Sequence, residues 1–569
     1  MTTSPRQHLL FSSFTGYQRR WLRGDLIAGL TVWAVLVPES LAYATIAGVP
    51  PVVGLYAAAP ALVLYAALGS SRHLVVATMS GTAALSASVV GDVAKAGTAD
   101  FVTTTTALAI VVGILGIVAG LCRLGFLSSF ISEPVLKGFI IGLALTIIVG
   151  QVPAMLGIDK PAGSFFEKLW GIIVHLGDVQ GPTLAVGAVA LVAILVLKRF
   201  APLVPASLAV VLLGVLAVVV LSLDDHGVDI VGTIPSGLPT VGVPDLSVAD
   251  YLQLVGPAIG VLLIGFAEGL GAAKTYAAKE GYEIDSNREL LGLGASNIGS
   301  GLASGMVVNG SLSKTAVNGG AGARSQISTM TVAVLTIVTL LFLTGLFEKL
   351  PEAVLAAVVI AAVIELVDFA ALRRLYGVWT GPLGQIYKRA ARVDFIAAVG
   401  AMLGVLVFDT LPGLFIGISL SLITLLYRSS RPHVAELVRS PREGLWLDGE
   451  RHDGTSGDPR IAVLRVESGL YFANADYVRD RIRHAAHDPV RAVVLDLETT
   501  PSIDVSAASM LVTLRADLER RGVLLLVAQS LGQVRDVLRT SQEESGLPEA
   551  HPSVDDAVVA AQAALDAGR

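Results

Sequence analysis

Long apolar runs dominate the chain up to about Tyr427, and they stop abruptly after Arg428. Seven runs fall in the first half, at about Asp25 to Ala47, Val52 to Leu68, Val76 to Val90, Val102 to Leu121, Phe130 to Gly150, Thr183 to Leu197 and Pro205 to Leu223. Seven more follow at about Tyr251 to Tyr276, Leu290 to Ala303, Ser311 to Gly319, Ile327 to Phe347, Pro351 to Ala371, Val393 to Phe408 and Pro412 to Tyr427. Several are shorter than the roughly 20 residues that cross a bilayer, so those predict half-helices or tilted pieces packed inside protein. The shortest, within Asn309 to Gln326, reads NGSLSKTAVNGGAGARSQ. A lipid-facing helix would not carry Asn309, Ser313, Lys314 and Asn318 together, so this stretch predicts a broken helix whose N-terminus points into the protein. Its unpaired N–H groups, its dipole and the Lys314 charge suit an anion. Ser80-Gly81-Thr82-Ala83 echoes Ser313-Lys314-Thr315-Ala316 at the head of another apolar run. Two such interruptions, one per half, predict an inverted repeat with a site between them.

After about Ser440 the pattern changes to soluble α/β. Strands are expected at Ile461 to Val466, Ala492 to Leu497 and Val523 to Ala528. Helices are expected at Ala475 to Ala486, Ser506 to Arg520, Ser530 to Arg539 and Val554 to Ala564. Alternation of this kind gives a small sheet covered by helices. The boundaries read as an N-terminal arm over 1–24, a transmembrane domain over 25–430 with repeats at 25–223 and 251–430, and a soluble domain over 440–569.

With 53% apolar and 15% charged residues among 569, and a mean hydropathy of +0.71, the chain reads as a polytopic α-helical membrane protein. The apolar run starting near Leu26 is expected to stay in the mature protein. Arg6, Arg19, Arg20 and Arg23, the cluster Arg373, Arg374, Lys388, Arg389 and Arg392, and Arg428 and Arg431 collect on one side, while 224–250 holds five aspartates and no Lys or Arg. That asymmetry places both termini and the soluble domain in the cytoplasm of a cell (cytoplasmic) membrane protein with fourteen segments. A 12-span count gives the same sidedness. The net charge of −6 averages two unlike parts. A single cysteine, Cys122, excludes an internal disulfide. No Walker loop, metal cluster or nucleophile elbow appears, so an enzyme, a resident cofactor, a metal site and nucleic-acid binding are not expected. The glycine spacing over 292–301 reads as close helix packing.

Glu39 and Glu268 are the carboxylates set most deeply in apolar runs, one opening each half. Each should be protonated or paired with a cation, and proton binding there would couple to anion arrival. A structural pairing with a nearby lysine is the alternative. Tyr43 and Tyr56 are candidates to line the cavity. Glu133, Glu365 and Asp409 read as solvated or helix-capping groups near segment ends.

Three motifs give the chain a family resemblance. Glu268 to Ser328, EGLGAAKTYAAKEGYEIDSNRELLGLGASNIGSGLASGMVVNGSLSKTAVNGGAGARSQIS, resembles the second-half signature of the sulfate permease family, also called the solute carrier 26 anion transporters. Val37 to Ala58, VPESLAYATIAGVPPVVGLYAA, resembles the first-span signature. Val493 to Leu514, VVLDLETTPSIDVSAASMLVTL, is similar to the core of the STAS domain appended to such transporters. The resemblance implies seven plus seven inverted segments in core and gate domains, with the anion between the facing N-termini of the third and tenth segments. Carried onto this chain, that implies substrate contacts from Ser80, Thr82, Ala83, Ser311, Leu312, Ser313, Lys314 and Thr315. Small side chains that let helices pack are the alternative for the third segment. Lys314 stands where many relatives carry arginine, keeping the charge but losing the planar fork.

Function is expected to be proton-coupled sulfate uptake by alternating access, the coupling ion being H+, with Na+ as the alternative. Sodium-coupled bicarbonate or proton-coupled dicarboxylate transport, an anion channel and a membrane-anchored signalling scaffold are the competing readings. The implied partners are a small inorganic or carboxylate anion, the bilayer, a second copy in a homodimer and a cytosolic partner at the STAS domain. Ser506 is a candidate regulatory phosphosite, and it also suits a helix N-cap.

Overall fold

The computed structural model describes residues 10–91, 93–94, 99–130, 132–161, 163–201, 204–380, 390–440, 444–452, 458–530, 532–545 and 550–567. The chain divides into two compact units, Met1–Leu422 and Ile423–Arg569.

In the first unit each of the fourteen apolar runs contains a helix. The first half runs α1 (Leu22–Ile46), α2 (Pro51–Leu68), β1 (Val75–Ala77), α3 (Ser80–Gly91), α4 (Ala99–Leu121), α5 (Glu133–Leu156), α6 (Phe165–Val174), α7 (Gly181–Phe200) and α8 (Ala206–Leu221). The second runs α9 (Val248–Glu280), α10 (Ser286–Leu302), β2 (Asn309–Ser311), α11 (Leu312–Gly320), α12 (Ile327–Val338), α13 (Glu352–Val363), α14 (Phe369–Thr380), α15 (Ala390–Phe408) and α16 (Thr410–Ser430). Among the described residues nine helical stretches are long and apolar enough to cross a membrane, with two shorter apolar helices besides. Of the others, α3 has 12 residues and α11 has 9, too few to span on their own. Helix α6, missed in the sequence because it is short, opens on a Ser164/Glu167 capping box. Its apolar side chains Phe166, Trp170 and Val174 are exposed, as on a helix that lies along an interface.

The order strand-then-short-helix recurs in both halves, and the two strands pair antiparallel, with Val75 opposite Ser311 and Ala77 opposite Asn309. Close approach elsewhere depends on missing side chains. Helices α4 and α10 cross where a Cβ on Gly113 would lie 2.7 Å from the Gly294 carbonyl oxygen, so the glycine spacing over 292–301 is helix packing. The 224–250 linker is anchored on the loop before α13, with Val231 N–H donating to Leu350 O at 2.9 Å and Lys349 paired with Asp224.

The second unit holds a five-stranded sheet of order β4-β3-β5-β6-β7, from β3 (Val434–Arg439), β4 (Trp446–Asp448), β5 (Ile461–Val466), β6 (Ala492–Asp496) and β7 (Leu524–Ala528). Strands β5 to β7 run parallel, and β3 is antiparallel to β5. The sheet therefore begins upstream of Ser440; β3 abuts the end of α16 and gave no composition shift to mark it. Helices α17 (Phe472–Ala485), α18 (Val505–Arg520) and α19 (Gly532–Ser545) cover one face through Val478, Leu511 and Val534, and α20 (Val554–Asp566) covers the other through Ala557 and Val558. Alternation along β6 decides this: Val493 and Leu495 face the first layer and Val494 the second.

Candidate functional site at the two half-helices

The β1–β2 ribbon is only three residues long on each strand, and its strands run in opposite directions into α3 and α11. The two strand–helix segments thus cross at the ribbon, and the half-helices leave it at opposite ends. Ser311 is the N-cap of α11, its Oγ accepting from Lys314 N–H at 3.3 Å and lying 3.1 Å from Ser313 Oγ. Thr315 Oγ1 accepts from Val75 N–H at 3.1 Å and donates to Ser311 O, so this hydroxyl fastens α11 to β1. Thr82 Oγ1 donates back to Met79 O at 3.3 Å, and Ser80 and Ala83 are buried in the first turn of α3. Leu312 and Ser313 are exposed, which leaves the start of α11 the open side of the crossing.

Lys314 is fully buried, and its tip meets three partners. Its Nζ lies 2.7 Å from Glu39 Oε2, donates to Thr78 O at 3.2 Å and sits 4.8 Å above the centre of the Tyr43 ring. Glu39 projects from α1 directly after Pro38, and Tyr43 lies one turn further along the same helix. A pair this buried, at 1% and 8% side-chain exposure, leaves a strongly destabilising charge if either partner is lost, on the order of 3–5 kcal/mol. The structure thus unites Glu39, Tyr43 and Lys314 in one cluster. Tyr56, on α2, has no hydrogen bond, ion pair or ring contact to that cluster among the described residues.

Glu268 projects from α9 toward α3. A Cβ on Gly81 would lie 3.8 and 4.0 Å from its two carboxylate oxygens, and its buried Oε2 has no hydrogen-bond partner. The two carboxylates are therefore counterparts. Glu39 of α1 faces Lys314 of α11, Glu268 of α9 faces Gly81 of α3, and Gly81 is the residue that the Ser80-Gly81-Thr82-Ala83 echo aligns with Lys314. The segments around the carboxylates repeat as well, with Glu39-Ser40-Leu41 against Glu268-Gly269-Leu270.

Two buried asparagines of the polar interruption lie beside the site without having been assigned a substrate contact. Asn309 in β2 packs against Gly265 and Gly269 of α9 and leaves its Oδ1 without a partner. Asn318 at the end of α11 donates to His73 O at 2.9 Å. Around them, His73 bridges the Tyr282 hydroxyl and Ala323 O at 3.0 Å each, and Glu289 accepts from Tyr65, Ser70 and Ser71. These bonds clamp the entry to β1. Of the end-of-segment carboxylates, Glu133 pairs with Lys137 at 2.6 Å, Glu365 with Lys198 at 2.9 Å, and Asp409 caps α16 through Thr410 N–H at 2.6 Å.

In the second unit the N-cap of α18 is Asp504, not Ser506. Its Oδ1 accepts from Ala507 N–H and its Oδ2 from Phe472 N–H, each at 2.8 Å. Aspartate reaches the same N–H that a serine cap would take, so the helix starts at Val505 and leaves Ser506 exposed in its first turn.

The pattern of the Sulfate permease family matches residues 22–381, and that of the STAS domain residues 455–557. The chain is 36% identical over 541 residues to a probable sulfate transporter of Mycobacterium tuberculosis, covering 95% of this chain and 94% of that protein. It is 29% identical to probable sulfate transporter 3.4 of Arabidopsis thaliana, covering 96% and 87%. The structure of the murine Solute Carrier 26 family member A9 anion transporter in the inward-facing state superposes with a TM-score of 0.85 over 99% of this chain and 96% of that one, at 21% identity, which speaks for the fold. The transmembrane domain of a cyanobacterium bicarbonate transporter superposes at 0.58 over 68% and 99%, at 24% identity. A buried crossing of two half-helices, a soluble domain of matching pattern and relatives that are transporters rather than enzymes lead to one conclusion: this chain is a multi-pass membrane transporter that belongs to the sulfate permease family.

Proposed function

We propose that the chain is a secondary carrier that takes up sulfate with protons, binding the anion between the N-termini of α3 and α11. The antiparallel β1–β2 pairing supports this reading, because it sets the starts of α3 and α11 on one three-residue ribbon, and helix N-termini suit an anion. Each helix end is worth roughly half a positive charge. Lys314 adds a whole one, but Glu39 cancels it. A dianion thus meets Glu268 as an added negative charge without a counter-ion, and a proton taken up there removes the repulsion as sulfate arrives. Release on the far side reverses both events as the half-helices move past the gate. Ser80, Thr82 and Ser313 supply hydroxyls beside the N–H groups.

The basic arm and the acidic 224–250 linker support a cell-membrane protein whose termini and STAS domain are cytoplasmic. The STAS unit is assigned to dimer contacts and regulation, with a cytosolic partner as its reader.

Uptake of labelled sulfate into proteoliposomes under an acid-outside gradient, without sodium, tests the reading. Uptake that collapses when the gradient is dissipated supports it. Uptake that requires sodium, or bicarbonate entry without sulfate entry, overturns it.

A further inference from the structure

A cavity of about 380 Å³ lies beyond the half-helix pair, at the other end of α3. Ala84, Ala87, Ser88 and Gly91 form its wall on that helix. They continue the stripe that begins at Ser80, at steps of three and four residues, so the wall leads one turn down to the first turn of α3. Opposite stand Gln151 of α5, Lys160 of the loop between α5 and α6, and Lys168 of α6. Gln151 is 92% buried, lines the cavity and has no hydrogen-bond partner among the described residues. Neither lysine has an ion-pair partner among the described residues.

An adjoining cavity of about 100 Å³ shares Thr45, Gln151 and Lys160, and is lined by Val231 from the acidic linker and by Glu352. The lysines therefore lie at the linker's end of the molecule, where positive charge is scarce. Asp409 is the carboxylate of the larger cavity, but its Oδ1 caps α16 and its Oδ2 faces Ser88 Oγ at 3.5 Å.

We propose that Gln151, Lys160 and Lys168 form a second oxyanion site on the outer face, which receives the substrate before it reaches the half-helices. The amide donates to an oxygen of the anion and the two ammonium groups flank it. This deepens the carrier reading, on which its sidedness and ligand class rest. Two lysines at the rim of a concave surface, Lys160 exposed and Lys168 half-buried, raise the local concentration of a dianion, by about tenfold or more in rate of capture at low salt.

The test uses the full-length protein in vesicles with Cys122→Ser and Ser88→Cys, so that one thiol reports from the cavity wall. External sulfonatoethyl and trimethylammonioethyl methanethiosulfonates, both membrane-impermeant, are compared. The site predicts roughly tenfold faster labelling by the anionic reagent, protection by millimolar inorganic sulfate, and loss of both in Lys160→Gln/Lys168→Gln. Labelling by the cationic reagent is retained in that variant, which shows the cavity intact. Equal rates for the two reagents, absence of sulfate protection, or labelling from the cytoplasmic side alone overturns the proposal. Anion-selective labelling in a protein that takes up no sulfate supports the outer site and counts against the substrate reading only.

Discussion

At α11 the first turn presents Lys314 to Glu39 of α1, whereas at α3 the corresponding turn presents Gly81 to Glu268 of α9. The two halves supply the same parts in the same order, and only one position separates a neutralised pair from a lone carboxylate. The lesson is electrostatic. A fully symmetric site with two ion pairs would hold its charge fixed, and one with two glycines would repel every anion. In the proposed carrier, one pair and one unpaired acid let the charge facing the ligand change with a single proton.

The largest expected effect comes from breaking the pair. Lys314→Ala leaves Glu39 buried without its counter-charge, at a cost on the order of 3–5 kcal/mol. Sulfate uptake should fall by about a hundredfold or more, and thermal stability in detergent should fall with it. Adding Glu39→Gln should restore stability but not transport; recovery of both would show that the lysine acts only as a structural partner.

Glu268→Gln should be gentler on folding and specific in its effect. Uptake should lose its dependence on an acid-outside gradient, and the melting midpoint of the variant should differ little between pH 6 and pH 8, because glutamine does not titrate at this buried position. Retained gradient dependence would move the coupling proton elsewhere.

Making the halves alike is the sharpest version of the comparison. Gly81→Lys gives Glu268 the partner that Glu39 already has, and should reduce uptake about tenfold while removing its proton stimulation. Gly81→Ala is its control, since the added Cβ meets Leu143 at 3.4 Å and the Glu268 oxygens at 3.8 and 4.0 Å, ordinary contact distances. That variant should transport within about twofold of the native rate.

The smallest effects belong to the second unit. Asp504→Ala should cost about 1 kcal/mol through the lost cap, read as a lowered melting midpoint, while Ser506→Ala should cost less than about 0.5 kcal/mol because Ser506 is exposed. Equal losses would return the cap to Ser506.

Much of this was legible before any coordinates. Apolar runs locate helices because a bilayer leaves the backbone no other way to satisfy its hydrogen bonds, and all fourteen runs contain one. The polar interruption at Asn309 to Gln326 marked α11, and its echo marked α3, because neither stretch could face lipid. The soluble strands Ile461 to Val466 and Ala492 to Leu497 were readable since buried parallel strands are continuously apolar. Strand β4 was not, as a three-residue edge element carries little pattern, and neither was β3, which follows within a few residues of the end of α16. Ser506, a candidate phosphosite that also suits an N-cap, and Asp504 lie two residues apart, and only the register of Asp504 against Ala507 decides which of them caps the helix.

Sequence alone thus determined the class, the broken helices and the two acids. Which acid has a partner was decided by tertiary structure, because Glu39 of α1 and Lys314 of α11 are 275 residues apart in the chain, and no local rule links charges at that separation. The short β1–β2 ribbon sets that link. It fixes where each half-helix begins, and so whether the residue opposite a buried carboxylate is a lysine or a glycine.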